Sequence, residues 1–182
     1  MVRTRVGYAG GTSEDPAYYN LGDHSETLQV DYDPSILSYS DLLQVFWESH
    51  NPEFPAYSRQ YASIIFYHDK EQRRLAEESG AREEARRGAR LHTEIVPYSA
   101  FYLAEDYHQK YRLQGHPGLV EEYRRIYPAM EDFVASTAVA RVNGYLGGHG
   151  DLATLRKELD SYGLSEAGRE ELLSTAARSL AW

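Results

Sequence analysis

The side chains whose types and placement point to chemistry are phenols and carboxyls. Tyr18 and Tyr19 stand together, Glu26 lies just ahead of an alternating apolar run, and Tyr61 opens another run. Such groups are the raw material of acid–base and hydrogen-bonding sites. By spacing alone they read equally as half-buried structural positions, where a ring packs and its hydroxyl finds a polar partner. Other familiar devices have no foothold. The 182 residues contain no cysteine, which excludes a disulfide, a thiolate metal site or a cysteine nucleophile within them. The seven histidines, His24, His50, His68, His92, His108, His116 and His149, are scattered, and none falls in an HExxH or similar spacing, so no metal site is expected. Gly7 to Gly11 (GYAGG) is glycine-rich, but no lysine follows it. A turn with positive φ explains it better than a phosphate cradle. No GxSxG elbow is present either.

Composition narrows the partners. Lys and Arg total 19 against 28 Asp and Glu, a net charge of -9, so nothing gathers phosphates at long range and nucleic acid is not an expected partner. No apolar run is long enough for a bilayer, and MVRTRVGYAGG lacks the apolar core of a signal peptide. Neither a membrane partner nor a cofactor is expected, and the cytoplasm is the default compartment.

Several elements must position these residues. Arg3 to Tyr8 reads as a short strand cut off by Gly10 and Gly11, and Leu28, Val30 and Tyr32 alternate across a second strand ending at Asp33-Pro34. Ser38 and Asp41 form a capping-box pattern ahead of Leu42, Val45, Phe46 and Trp47, and Asn51-Pro52 stops that helix. Tyr61 to Tyr67 reads as a buried strand, and Asp69 with Gln72 as the cap of a charged helix carrying Glu78/Arg82 and Glu83/Arg87 at i,i+4. His92 to Val96 is predicted as a strand broken by Pro97, and Ala104 to Leu113 as a helix ended by Gly115 and Pro117. From about Gly118 strand signals vanish. Asp151 with Leu152, Leu155 and Leu159, then Ser165 with Leu172 and Leu173, predict short capped helices on either side of SYGLS. The expected division is a domain over residues 1–117 and a helical extension over 118–182.

Five strings, GYAGG (Gly7 to Gly11), DPAYYNLGDHSE (Asp15 to Glu26), YDPSILSYSDLLQVFWESHNP (Tyr32 to Pro52), RQYASIIFYH (Arg59 to His68) and FYLAEDYHQKY (Phe101 to Tyr111), together resemble the peptide methionine sulfoxide reductase A family. The resemblance covers about residues 3 to 113, and the rest does not match the family's common core. It implies an α+β fold, a sheet with packed helices. It also implies a nucleophilic cysteine in a GCFWG motif at the end of the first central strand, and this sequence holds no such motif. Related members carry it ahead of the equivalent of VRTRVGYAGG. The expectation is therefore a chain shortened at its N-terminus, without the first central strand and a helix. A selenocysteine at the nucleophile position is a further expectation.

Carried over residue by residue, the resemblance makes Glu26 the acid that protonates the sulfoxide oxygen, given a pKa raised by partial burial. It makes Tyr18 and Tyr61 the two phenols that hydrogen-bond the same oxygen. The substrate implied is oxidised methionine, free or in peptides and proteins, and the reductant thioredoxin or another thiol. Two departures stand inside the resemblance: the loop before Tyr61 is short and has Ala56 where the family commonly has Asp, and Asn51 replaces Asp in an HDP turn. The alternative is a catalytically inactive homologue acting as a binding module.

Overall fold

The computed structural model describes residues 1–180. In chain order the elements are β1 (Arg3–Ala9), β2 (Ser25–Asp31), α1 (Tyr39–Glu48), β3 (Ile64–Tyr67), α2 (Lys70–Arg87), β4 (Glu94–Pro97), β5 (Phe101–Leu103), α3 (Tyr111–Gln114), α4 (Pro117–Ile126), α5 (Met130–Ala135), α6 (Thr137–Leu146), α7 (Leu152–Glu158) and α8 (Glu166–Ser179). Single 3-10 turns cover Arg59–Tyr61, Asp106–His108 and Leu159–Tyr162. The fold is α+β, as the resemblance implied. Among the described residues no helix is long and apolar enough to cross a membrane.

The chain forms two compact units. Val6–Ala104 is one, and Met1–Arg5 with the described residues from Glu105 onward is the other. The first holds a three-stranded sheet in the order β2-β1-β5 and a two-stranded parallel sheet of β3 and β4. β1 runs antiparallel to β5, with Tyr8 opposite Tyr102. β5 has no counterpart among the elements predicted from sequence. Three residues carry no periodic signal of their own, and only the ladder to β1 makes them a strand. β3 is also shorter than expected, because Arg59–Tyr61 coils into a 3-10 turn before the strand begins.

α1 begins at the capping box that its sequence predicts: Ser38 Oγ accepts from the Asp41 N–H, and the Asp41 side chain accepts from the Ser38 N–H. α2 starts at Asp69, whose carboxylate accepts from the Gln72 N–H at 2.8 Å. On α2 the pair Glu83/Arg87 forms at 2.5 Å, whereas Glu78 is held by Arg74. The two helices enclose a small core with the sheet, built from Leu43, Trp47, Ile65 and Ala76, in which the Trp47 indole N–H donates to Ser79 Oγ at 3.0 Å. A second small core of Tyr8, Leu21 and Ala104 gathers Val6, Tyr18 and Tyr102.

The other unit is a helical bundle around Leu113, Leu119, Tyr123, Phe133, Val139, Leu155 and Leu172, all fully buried. α7 and α8 start at the predicted caps, with Asp151 accepting from the Thr154 N–H and Ser165 from the Gly168 N–H. The predicted helix from Ala104 to Leu113 is not formed. Its span begins at a buried alanine beside β5, passes through a 3-10 turn and reaches Lys110, whose φ of 52° is left-handed; only Tyr111–Gln114 is helical. The compact units divide at Ala104 and Glu105 rather than near Gly118, because α3 already belongs to the bundle. Leu113 is buried there, and its N–H donates to Asn143 Oδ1 at 3.1 Å.

Candidate active site

The site is assembled at the loop that leaves β1. Gly10 has φ 82°, and a side chain there would press on the Phe66 ring at 2.7 Å. A Cβ on Gly11 would come within 2.5 Å of Asp23 Oδ1 and 2.7 Å of the His24 ring. Glycine at both positions lets the loop close against the segment that leads into Glu26.

That segment is tied down by hydrogen bonds rather than by apolar burial. The Asp23 carboxylate accepts from the backbone N–H groups of Thr12 and Ser13 and from both their hydroxyls, at 2.8–3.0 Å. These donors, the Ser13 backbone N–H first, hold its carboxyl far below the usual carboxylate range. His24 is buried beside them, with its ring edge-on to Tyr102 at 5.3 Å. Its Nε2 lies 2.8 Å from the Ser13 carbonyl, which only accepts, so Nε2 carries the proton. Nδ1 is then the acceptor for the Gly11 N–H at 3.2 Å. In one tautomer the ring bridges the backbones of Gly11 and Ser13.

Buried Ser25 donates through Oγ to the Arg59 carbonyl at 2.6 Å, which pins the start of β2 to the 3-10 turn Arg59–Tyr61. Arg59 in turn pairs with Glu94 on β4 at 2.5 Å. The next residue along each chain segment completes the arrangement: Gln60 Nε2 donates to Glu26 Oε1 at 2.7 Å.

Glu26 is thus brought from 34 residues away in sequence against the turn that ends in Tyr61, through Gln60. Glu26 is exposed in this structure, not partly buried, and Tyr61 is 56% exposed at the end of its turn. Tyr18 is positioned separately, half-buried against Tyr8 and Leu21, with its ring edge-on to Tyr19 at 5.1 Å. Tyr19 is almost fully exposed. Ala56 is exposed on the loop ahead of Tyr61 and brings no acid to the site. Asp23 and Gln60 were not among the candidates from sequence. Their signals were adjacency only, Asp23 inside GDHSE and Gln60 immediately before Tyr61. The roughly 550 Å³ groove between α1 and α2, floored by Leu43 and Trp47, includes none of these residues.

The α+β scaffold thus presents an exposed carboxyl, Glu26, with the Gln60 amide on one of its oxygens, at a turn that ends in Tyr61. A family model for peptide methionine sulfoxide reductase matches residues 1–142, and the chain belongs to that family of oxidoreductases, which reduce methionine sulfoxide in proteins. A peptide methionine sulfoxide reductase of Drosophila melanogaster is 41% identical over 172 residues, covering 93% of this chain and 69% of the fly protein. Peptide methionine sulfoxide reductase A5 of rice is 42% identical over 151 residues, and there the chain spans 59% of the relative. Among solved structures, Mxr1 from Saccharomyces cerevisiae in reduced form aligns with a TM-score of 0.58 at 28% identity, over 63% of this chain and 71% of that one.

The match extends further than the sequence motifs suggested. It runs past Tyr111 to residue 142 in the family model, and the fly relative covers most of the chain. The first helices of the bundle are therefore inside the family's shared span, not an unrelated addition.

Proposed function

We propose that this chain carries the acid and hydrogen-bonding half of a site that reduces the S epimer of methionine sulfoxide in peptides and proteins, with Glu26 as the acid and Tyr18 and Tyr61 as the phenols on the sulfoxide oxygen. The observation that carries this reading is Glu26 at the head of β2, its carboxyl held by Gln60 on the same turn as Tyr61. Exposure of Glu26 and Tyr61 leaves both accessible to a substrate oxygen.

A thiolate or selenolate attacks the sulfoxide sulfur and the S–O bond breaks with the oxygen leaving in protonated form; that oxygen then attacks the nucleophile's own sulfur or selenium, and the newly made bond to the methionine sulfur breaks. The methionine sulfur gains the two electrons that the nucleophile loses, giving thioether and sulfenic or selenenic acid. Glu26 supplies the proton, and the phenols stabilise charge on the oxygen as the bond breaks. The nucleophile belongs to residues outside these 182, which contain no cysteine. With no resolving cysteine among them, an external dithiol, such as that of thioredoxin, takes this part: its first thiol displaces the oxygen as water to form a mixed disulfide or selenosulfide, and its second thiol then frees the reduced nucleophile and leaves the dithiol as a disulfide.

The test is a version of the protein carrying a GCFWG segment ahead of Val2, assayed on the separate sulfoxide epimers. Reduction of the S epimer alone is expected, with Glu26→Gln slowed by about 10²–10⁴-fold. Turnover that ignores both the epimer and Glu26 would sink the reading. The absence of cysteine from these residues favours a second reading, a sulfoxide-binding module without turnover. It predicts heat on mixing the 182-residue chain with a methionine sulfoxide peptide and none with the unoxidised peptide.

A further inference from the structure

Gln60 is the side chain in contact with the acid, and neither the motif residues nor the proposed chemistry gives it a role. We propose that Gln60 is a positioning residue: its amide holds Glu26 Oε1 as an acceptor, so that Oε2 is the oxygen that carries and delivers the proton. The inference rests on the reading of Glu26 as the acid.

The geometry supports a fixed holder rather than a passing surface contact. Gln60 Nε2 lies 2.7 Å from Glu26 Oε1, across 34 residues of sequence. Its backbone sits in a 3-10 turn anchored twice at the preceding residue, Arg59: Ser25 Oγ donates to the Arg59 carbonyl, and the Arg59 guanidinium pairs with Glu94. The Ser25 that makes this clamp is also the residue immediately before Glu26. One hydrogen bond therefore sets the spacing between the two side chains at their backbones, and the amide–carboxyl bond sets it at their tips.

An amide N–H can only donate. In a protonated carboxyl the oxygen that accepts a donor is the carbonyl oxygen, and the hydroxyl is the other one. With Oε1 committed to Gln60, the O–H is Oε2 and is free to point at a substrate. A carboxyl without this partner would place its proton on either oxygen and sample more rotamers, so fewer encounters would meet a correctly aimed donor. Once the proton has left, the same N–H still donates to the carboxylate that remains.

Two measurements on the 182-residue chain test this, one without substrate and one with it. In the first, the Gln60 side-chain amide ¹⁵N resonance is followed by NMR as pH is lowered. It is expected to move through the carboxylate range, and to stay flat in Glu26→Gln. In the second, binding of N-acetyl methionine S-sulfoxide methylamide is measured by calorimetry against pH for the wild type, Gln60→Met and Gln60→Glu. Gln60→Met is expected to weaken binding about three- to tenfold, the scale of one neutral hydrogen bond. Gln60→Glu, which has no amide N–H to donate, is expected to weaken binding at least as much. Circular dichroism of both variants checks that the fold is kept. A Gln60 amide resonance that ignores pH, or a binding profile that neither variant moves, overturns the role of Gln60. A responsive amide with no sulfoxide bound by any variant at any pH supports the hold of Gln60 on Glu26 and overturns the proposed function instead.

Discussion

The two compact units of this chain are held together by different physics. From Glu105 onward the helices enclose one continuous core whose large side chains, among them Leu119, Phe133, Val142 and Leu172, are fully buried. Between Val6 and Ala104 the buried residues fall into two small clusters, and most strand positions are only half-buried. There the loops around the site are fixed by Asp23, His24, Ser25 and Gln60, each with a defined polar partner. The contrast is instructive because a surface that meets a polar substrate must keep its reactive groups wet. Directional hydrogen bonds can order such a surface, whereas apolar packing would cover it.

Substitutions can break or sharpen this contrast. The largest effect is expected from Phe133→Ala, which opens a cavity in the helical core beneath Arg124, whose guanidinium stacks on the ring at 4.7 Å. A loss of about 3–5 kcal/mol is expected. Hydrogen exchange should locate it in α4 to α8, and equal deprotection of β1 and β2 would mean that the two units are not energetically distinct.

Next is Lys110, buried with its ammonium on the Thr4 carbonyl at 2.5 Å and its hydroxyl at 3.1 Å. Burial, and secondarily the charge of Arg5, pushes its pKa down to about 8. Between about 8 and the ordinary lysine value of 10.5 the unfolded chain holds a proton that the folded one has released. Stability of this unit should therefore rise with pH across that window, by about 2–3 kcal/mol. Lys110→Met should flatten the slope in denaturant titrations at pH 7 and 10. A slope that survives the substitution would assign the effect to another group.

In the site-bearing unit, Gly11→Ala drives a methyl into Asp23 and His24, and a cost of about 1–3 kcal/mol is expected. Loss of NMR order in residues 10–26, with α1 and α2 intact, would show that the hydrogen-bonded loop is a separate element of stability. Trp47→Phe removes the indole N–H bond to Ser79, whose own hydroxyl still donates to the Ala76 carbonyl. Thermal unfolding should report about 1 kcal/mol. The smallest effect should come from Asp23→Asn, and only in acid. The folded carboxyl is held below its ordinary 3.8, so its contribution is complete above that pH and fades as pH falls toward the depressed value. A melting profile between pH 6 and 2.5 should lose part of its acid slope in the variant. An unchanged slope would mean that the Thr12 and Ser13 contacts do not hold in solution.

How much was legible in the sequence follows the range of each interaction. The caps at Ser38, Asp69, Asp151 and Ser165 were readable because donor and acceptor lie three residues apart and need no other part of the chain. β5 was not readable, since Phe101–Leu103 becomes a strand only through Gly7, Tyr8 and Ala9. The helix expected through Lys110 failed for a related reason. Its apolar spacing was compatible with a helix, but the buried ammonium is bound to Thr4, far away in sequence, and the backbone turns left-handed there.

The same division runs through the site. The residue types and motif order along the chain, including GYAGG, GDHSE and RQY, were enough for the family, and that resemblance put forward Tyr18, Glu26 and Tyr61 as candidates. Only the tertiary structure decided that Glu26 stands exposed with Gln60 on one of its oxygens, that His24 is a neutral bridge, and that Ser25 ties strand to turn. A local pattern records which groups are available and how near neighbours will coil. Contacts between residues 34 apart depend on closing the chain around them, and no short window of sequence contains that information.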